Sequence, residues 1–216
     1  MGMFGRILAA GIGVFLAAGA AAQQAQQPPE QLFSKGVELH RSGQYEAAAK
    51  AYEAFLAVRP DAVEAISNLG AVYARLGNYG KAIENYKRAL AIDHGNAGVR
   101  FNLGLAYYEM SQFPSAALEL DQVLKASPGN LRAAILLGDC RFRQGEYKAV
   151  IDLLAPFENT ARDNRAVMYL LGTALIRDNQ TQRGQALIDR ILSHGDSAEA
   201  HLMLGTMRIM TLDAKG

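Results

Sequence analysis

Side chains able to do chemistry are sparse in this sequence, and their spacing is unfavourable. The stretch HGDSAEAH (194–201) gathers His194, His201, Asp196 and Glu199. Zinc sites preset their geometry through ligands at i, i+4 on a helix or through paired C-x-x-C elements. A separation of seven residues across an expected loop supplies neither, so these groups read as solvated and no metal is expected. Cys140 is the sole cysteine. With no histidine beside it or on an adjacent turn to raise its thiolate fraction, it reads as a buried structural thiol. Carboxylates are spread as solvent-face charges, as in Glu84 and Arg88 at i, i+4. None forms the isolated pair that glycoside hydrolysis requires. The motifs G-x-S-x-G, H-E-x-x-H and a glycine loop ending in G-K-[ST] are missing. No catalytic residue, cofactor or small-molecule substrate is therefore expected.

Composition narrows the partners. Half of the 216 residues are apolar, enough for a real core. Of 22 basic residues only Arg6 precedes Gln23, and no acidic residue does. The remainder carries 21 Lys and Arg against 21 Asp and Glu, so the chain lacks the basic excess that displaces counterions from phosphates. Nucleic acid is not expected. Because a single cysteine cannot close an internal disulfide, packing alone must supply stability.

The first 22 residues differ from the rest. Arg6 forms a short basic region, and an apolar run extends from Ile7 to about Ala22. It ends in small residues suited to signal-peptidase cleavage after Ala20 or Ala22. The run is short of the roughly 20 residues that span a bilayer. Residues 1–22 are thus expected to be a signal peptide exporting the chain to a periplasm or cell envelope, or outside the cell. A membrane would be involved only if the segment stayed uncleaved. Residues 23–28 read as a Gln- and Pro-rich linker.

What remains must position any functional group through a repeat. Gly36, Gly70, Gly104, Gly138 and Gly172 stand 34 residues apart, and Gly205 follows 33 later. A fixed period of this length marks a solenoid, whose units cannot bury their apolar faces alone. The units are 29–62, 63–96, 97–130, 131–164 and 165–197, with a partial sixth over 198–216. Each reads as two helices. Ile66, Leu69, Gly70 and Tyr73 share one face, Gly77 breaks the pattern, and Ala82, Ile83, Tyr86, Ala89 and Leu90 line the second helix. Small residues at Gly70 and Ala82 let the backbones approach closely. Pro60 and Pro128 end the second helices of their units, and Pro156 is expected to end or kink that of unit four early.

These residues resemble the tetratricopeptide repeat over nearly all of 29–216. Its Leu-Gly pair recurs as Leu69-Gly70, Leu103-Gly104, Leu137-Gly138, Leu171-Gly172 and Leu204-Gly205. Its turn glycine and aromatic recur as Gly43/Tyr45, Gly77/Tyr79 and Gly145/Tyr147, with Ser111/Phe113 related to them. Its second-helix alanine is met by Ala48, Ala82 and Ala116. Several positions depart from the pattern. Lys35 precedes Gly36, and His94 stands in place of proline. Unit five, with Asn179 and Thr181 at the turn and Gly184 for alanine, reads as degenerate but present.

The resemblance implies an all-α solenoid of helical hairpins, a right-handed superhelix with a concave inner face. The family's pattern places Ser67, Asn68, Ala71 and Arg75 on that face in unit two, and Phe101, Asn102, Leu105 and Tyr108 in unit three. It adds Ile135, Asp139 and Phe142 in unit four, and Tyr169, Thr173 and Ile176 in unit five. Asn68 and Asn102 recur in register, and an amide can pair with a peptide backbone without reading its side chains. Basic residues that clamp a terminal carboxylate in some members are replaced by Gly98 and Asn102, which argues against that subclass. The expected function is a non-enzymatic scaffold that binds a protein or peptide. The alternatives are the interaction module of a longer exported enzyme or assembly factor, and self-association through the unpaired last helix.

Overall fold

The computed structural model describes residues 28–161 and 164–193. The expected signal peptide, all of the linker but Pro28, the histidine stretch 194–201 and the partial sixth repeat lie outside the described residues. Regular structure among the described residues is helical. Two compact units divide it, the first ending at Val99 and the second beginning at Arg100.

The first unit holds α1 (Pro29–Arg41), α2 (Tyr45–Val58), α3 (Val63–Arg75) and α4 (Tyr79–Ile92), then the start of α5 (Ala97–Glu109). The second unit contains the remainder of α5 and α6 (Phe113–Ala126), α7 (Leu131–Arg143), α8 (Tyr147–Leu154) and the short α9 (Phe157–Thr160). It closes with α10 (Arg165–Arg177) and α11 (Thr181–Ser193). First helices start at Pro29, Val63, Ala97, Leu131 and Arg165, so helix starts share the 34-residue period of the glycines.

Hairpin turns repeat one conformation. Gly43, Gly77 and Gly145 have φ of 77°, 72° and 77°, and Ser111 and Asn179 adopt 57° and 63° at the equivalent positions. In each turn an amide one residue further on donates back to the preceding helix, as Asn78 N does to Tyr73 O and Gln112 N to Tyr107 O. This is the six-to-one closure of a helix C-terminus, and its left-handed residue is normally glycine. The hydrogen bonds hold Ser111 and Asn179 there without it.

Helix starts carry a second recurrence. Asn96, Asn130 and Asn164, again 34 apart, each accept through the side-chain oxygen from the amide three residues on, at 3.1 Å. An asparagine at this position satisfies one of the orphan amides of a first turn. Asn96 also stabilises the end of α4, donating to Asp93 at 2.9 Å where a proline is missing. Pro156 ends α8 at Leu154, and the chain resumes as the one-turn α9.

The cores are built by close approach. Tyr52 and Tyr86 are fully enclosed in the first unit, and Leu120, Leu137, Leu154 and Leu171 in the second. The tightest approach is between α10 and α11, where a Cβ on Gly184 would meet Gly172 O at 2.5 Å and Ile176 Cγ1 at 2.7 Å. Unit five is therefore a full hairpin, and its glycine replaces the usual alanine because no methyl group fits.

Candidate functional site

Helical spacing brings one face of three first helices together in the second unit. From α5 come Phe101, Leu105 and Tyr108, at i, i+4 and i+7. From α7 come Arg132, Ile135, Leu136, Asp139 and Arg143, and from α10 Ala166, Tyr169 and Leu170. Together they line an open concavity of about 500 Å³. On the opposite faces, Leu103, Ala106, Leu137 and Cys140 are buried in the core. The same helices therefore use one side for stability and the other for this surface.

The polar groups of the concavity are interlocked. The Tyr108 hydroxyl donates to the Asp139 carboxylate. Arg143 Nε donates to Asp139 Oδ2 at 2.7 Å, and its Nη2 reaches the Tyr108 oxygen at 3.3 Å. The same guanidinium stands 5.1 Å from the Phe113 ring centroid, and Phe113 meets Tyr108 edge-on at 5.7 Å. Burial and the hydrogen bond to Asp139 push the Tyr108 pKa up, and the bond to Asp139 raises that of Arg143. Charge-assisted bonds of this kind fix side chains before a ligand arrives. At the other end, the Arg132 guanidinium lies 5.2 Å from the Phe101 centroid.

Six residues marked by the sequence pattern meet here: Phe101, Leu105, Tyr108, Ile135, Asp139 and Tyr169. Asn102 is partly buried and does not line the concavity. Phe142 turns to Tyr147, centroids 5.3 Å apart, and packs on the core between α7, α8 and α10. Thr173 is 3% exposed, and its hydroxyl donates to Tyr169 O at 2.7 Å. Ile176 packs with Met168, Ile188 and Ile191. Arg132 and Arg143 line the concavity although the family pattern does not mark them. Their spacing from Ile135 and Asp139, three before and four after, places them on the same face.

In the first unit another open surface of about 730 Å³ lies beside α1, lined by Phe33, Val37, Glu38 and Arg41 with Glu64 of α3. Ser67, Asn68, Ala71 and Arg75 lie further along α3 and do not line it. Asn68 instead sits near Tyr52, whose hydroxyl is buried without a well-formed hydrogen bond. The amide lowers the Tyr52 pKa, but burial outweighs it and the net shift is upward. Arg75 is exposed, and its charge lowers the pKa of Tyr86 against the larger opposing effect of burial.

Cys140 is buried on the core side of α7, with its thiol pushed up to about 12 by burial and then by the Asp139 carboxylate. Among the described residues no group of three or more His, Cys, Asp and Glu is arranged to hold a metal ion. No helix among them is long and apolar enough to cross a membrane.

Comparison with known proteins agrees with this architecture. Family profiles described as "TPR repeat" match residues 36–77 and 73–111, and one described as "Tetratricopeptide repeat" matches 101–155. The chain is similar in structure to YrrB, "a TPR protein with an unusual peptide-binding site", with a TM-score of 0.74 at 16% identity over 89% of this chain and 97% of that one. It is also similar to MamA from Desulfovibrio magneticus RS-1, with a TM-score of 0.73 at 17% identity over 78% and 97%. A third similar structure is the first TPR of Spaghetti (RPAP3) bound to the HSP90 peptide SRMEEVD, with 0.53 at 20% identity over 54% and 93%. No curated protein matches the sequence. With repeats matched continuously from 36 to 155 and an all-α array of hairpins on the same period, the chain belongs to the tetratricopeptide-repeat family.

Proposed function

We propose that this protein is a non-enzymatic interaction module that seats a segment of a partner protein in the concavity of its second unit. One observation carries the reading: three helices direct apolar and aromatic side chains into a single open surface, although burying them would have favoured the core. Phe101, Leu105, Ile135 and Tyr169 offer contact area, and Tyr and Phe rings do so with little rotamer entropy to lose. The Tyr108–Asp139–Arg143 lock holds that surface in shape. Peptide binding in two of the similar proteins, YrrB and the first TPR of Spaghetti, supports the reading by analogy of fold.

Photocrosslinking tests it. A benzoylphenylalanine at Ile135 should form adducts with another protein in the cell, and one at Leu118, exposed on α6, should not. Adducts from position 118 alone would place the interaction on the other face.

The reading includes export, supported by the basic start, short apolar run and small residues of 1–22. Mass spectrometry of protein from the producing cell should find a mature N-terminus near Gln23. An intact N-terminus in the membrane fraction would mean an anchor instead.

A further inference from the structure

The charged groups of the concavity are not equally available. Resting on the reading of that concavity as a peptide seat, we infer that its occupant is an internal segment bearing one acidic side chain beside an apolar anchor, with the acid held by Arg132.

Arg143 is already committed, through two hydrogen bonds to Asp139 and Tyr108 and contact with two rings. Asp139 is likewise committed, accepting from both Tyr108 and Arg143. Their charges cancel, so this trio offers an approaching ligand little net field. Arg132 differs. It is exposed, it touches the Phe101 ring, and among the described residues no carboxylate lies within ion-pair distance of it. Contact with a ring face leaves its N–H donors unspent.

Among the described residues, the surface therefore presents one uncommitted positive charge above an apolar floor formed by Leu105, Ile135 and Tyr169. A wholly apolar ligand would strip water from that guanidinium and return nothing, which is costly. A basic ligand would add repulsion. A carboxylate can bind the guanidinium through two parallel bonds while its neighbour in the segment fills the floor.

The test is selection from a phage library of random ten-residue peptides, each internal to the coat protein so that no free C-terminus is offered. The full chain, Arg132→Gln and Arg132→Glu serve as targets, with helicity checked by circular dichroism. The unaltered chain should enrich Asp or Glu at one fixed position next to an apolar residue. Arg132→Gln should lose that enrichment, and Arg132→Glu should replace it with Lys or Arg. A peptide from the first pool, capped at both ends, should bind Arg132→Gln about tenfold more weakly. Acid enrichment that survives Arg132→Gln, or an apolar pool with no acid, would overturn this inference while leaving the seat intact, provided Ile135→Asp abolishes binding. A pool indifferent to Ile135→Asp, or no enriched pool, would overturn the seat itself.

Discussion

Each first-helix glycine faces a second-helix residue 16 positions later, but the two units fill that contact differently. In the first unit the partners are aromatic: Tyr52 covers Gly36 and Tyr86 covers Gly70. In the second they are aliphatic: Leu120, Leu154 and Ile188 lie over Gly104, Gly138 and Gly172. The register is the same, and so is the reason for glycine. What differs is how much the neighbour can yield. A buried ring is flat and moves as one body, whereas a leucine can shift a terminal methyl between rotamers. A single repeat pattern thus conceals rigid contacts at Gly36 and Gly70 and a more forgiving one at Gly138.

The strongest challenge to that contrast lies at the end of the second unit. Gly184→Ala would put a methyl group 2.5 Å from Gly172 O, and backbone cannot rotate away. The helices must separate, and we expect a loss of about 3 kcal/mol, at the upper end for overpacking. Thermal unfolding followed by circular dichroism measures it, and a small effect would show that α10 and α11 slide freely.

Gly70→Ala comes next. Its Cβ would meet Tyr86 ring carbons at 2.8, 3.0 and 3.2 Å, and the ring is 2% exposed. A cost of about 2 kcal/mol is expected. Gly138→Ala should have the smallest effect, within about 0.5 kcal/mol of zero. Its nearest contact is a terminal Leu154 methyl at 3.2 Å, and the better helix propensity of alanine offsets the remaining crowding. Equal losses at Gly70 and Gly138 in the same unfolding experiment would break the comparison.

These contacts also show where sequence reading reaches its limit. The period of the glycines carries hairpin positions, because close approach is possible at only one place per helix. It also leads to the inner face, and six residues on that face converge. Phe142 departs because its ring packs on Tyr147 and the core, repeating the Tyr108–Phe113 contact of the preceding hairpin. Thr173 departs because its hydroxyl bonds its own helix, which lets a polar side chain be buried. Gly184 reads in the sequence as a lost alanine, since residue identity alone says nothing of interhelix distance. Ser111 and Asn179 look like weakened turns, yet they share the left-handed geometry of their glycine counterparts. The capping asparagines at 96, 130 and 164 obey the same period and were visible in principle. They stand outside the apolar pattern that draws attention first.

Cys140 turns the architecture into a clock. Its thiol lies on the helix that supplies Ile135 and Asp139 to the concavity, but faces the opposite way, buried and held protonated at neutral pH. A thiol reagent can reach it only when the core between α7 and its neighbours opens, so the labelling rate counts those excursions out of the folded ensemble. The chain contains no second cysteine to blur the signal. Anything that occupies the far side of α7 must slow the count by its own binding free energy. A partner too weak to isolate would still leave its mark on the time axis.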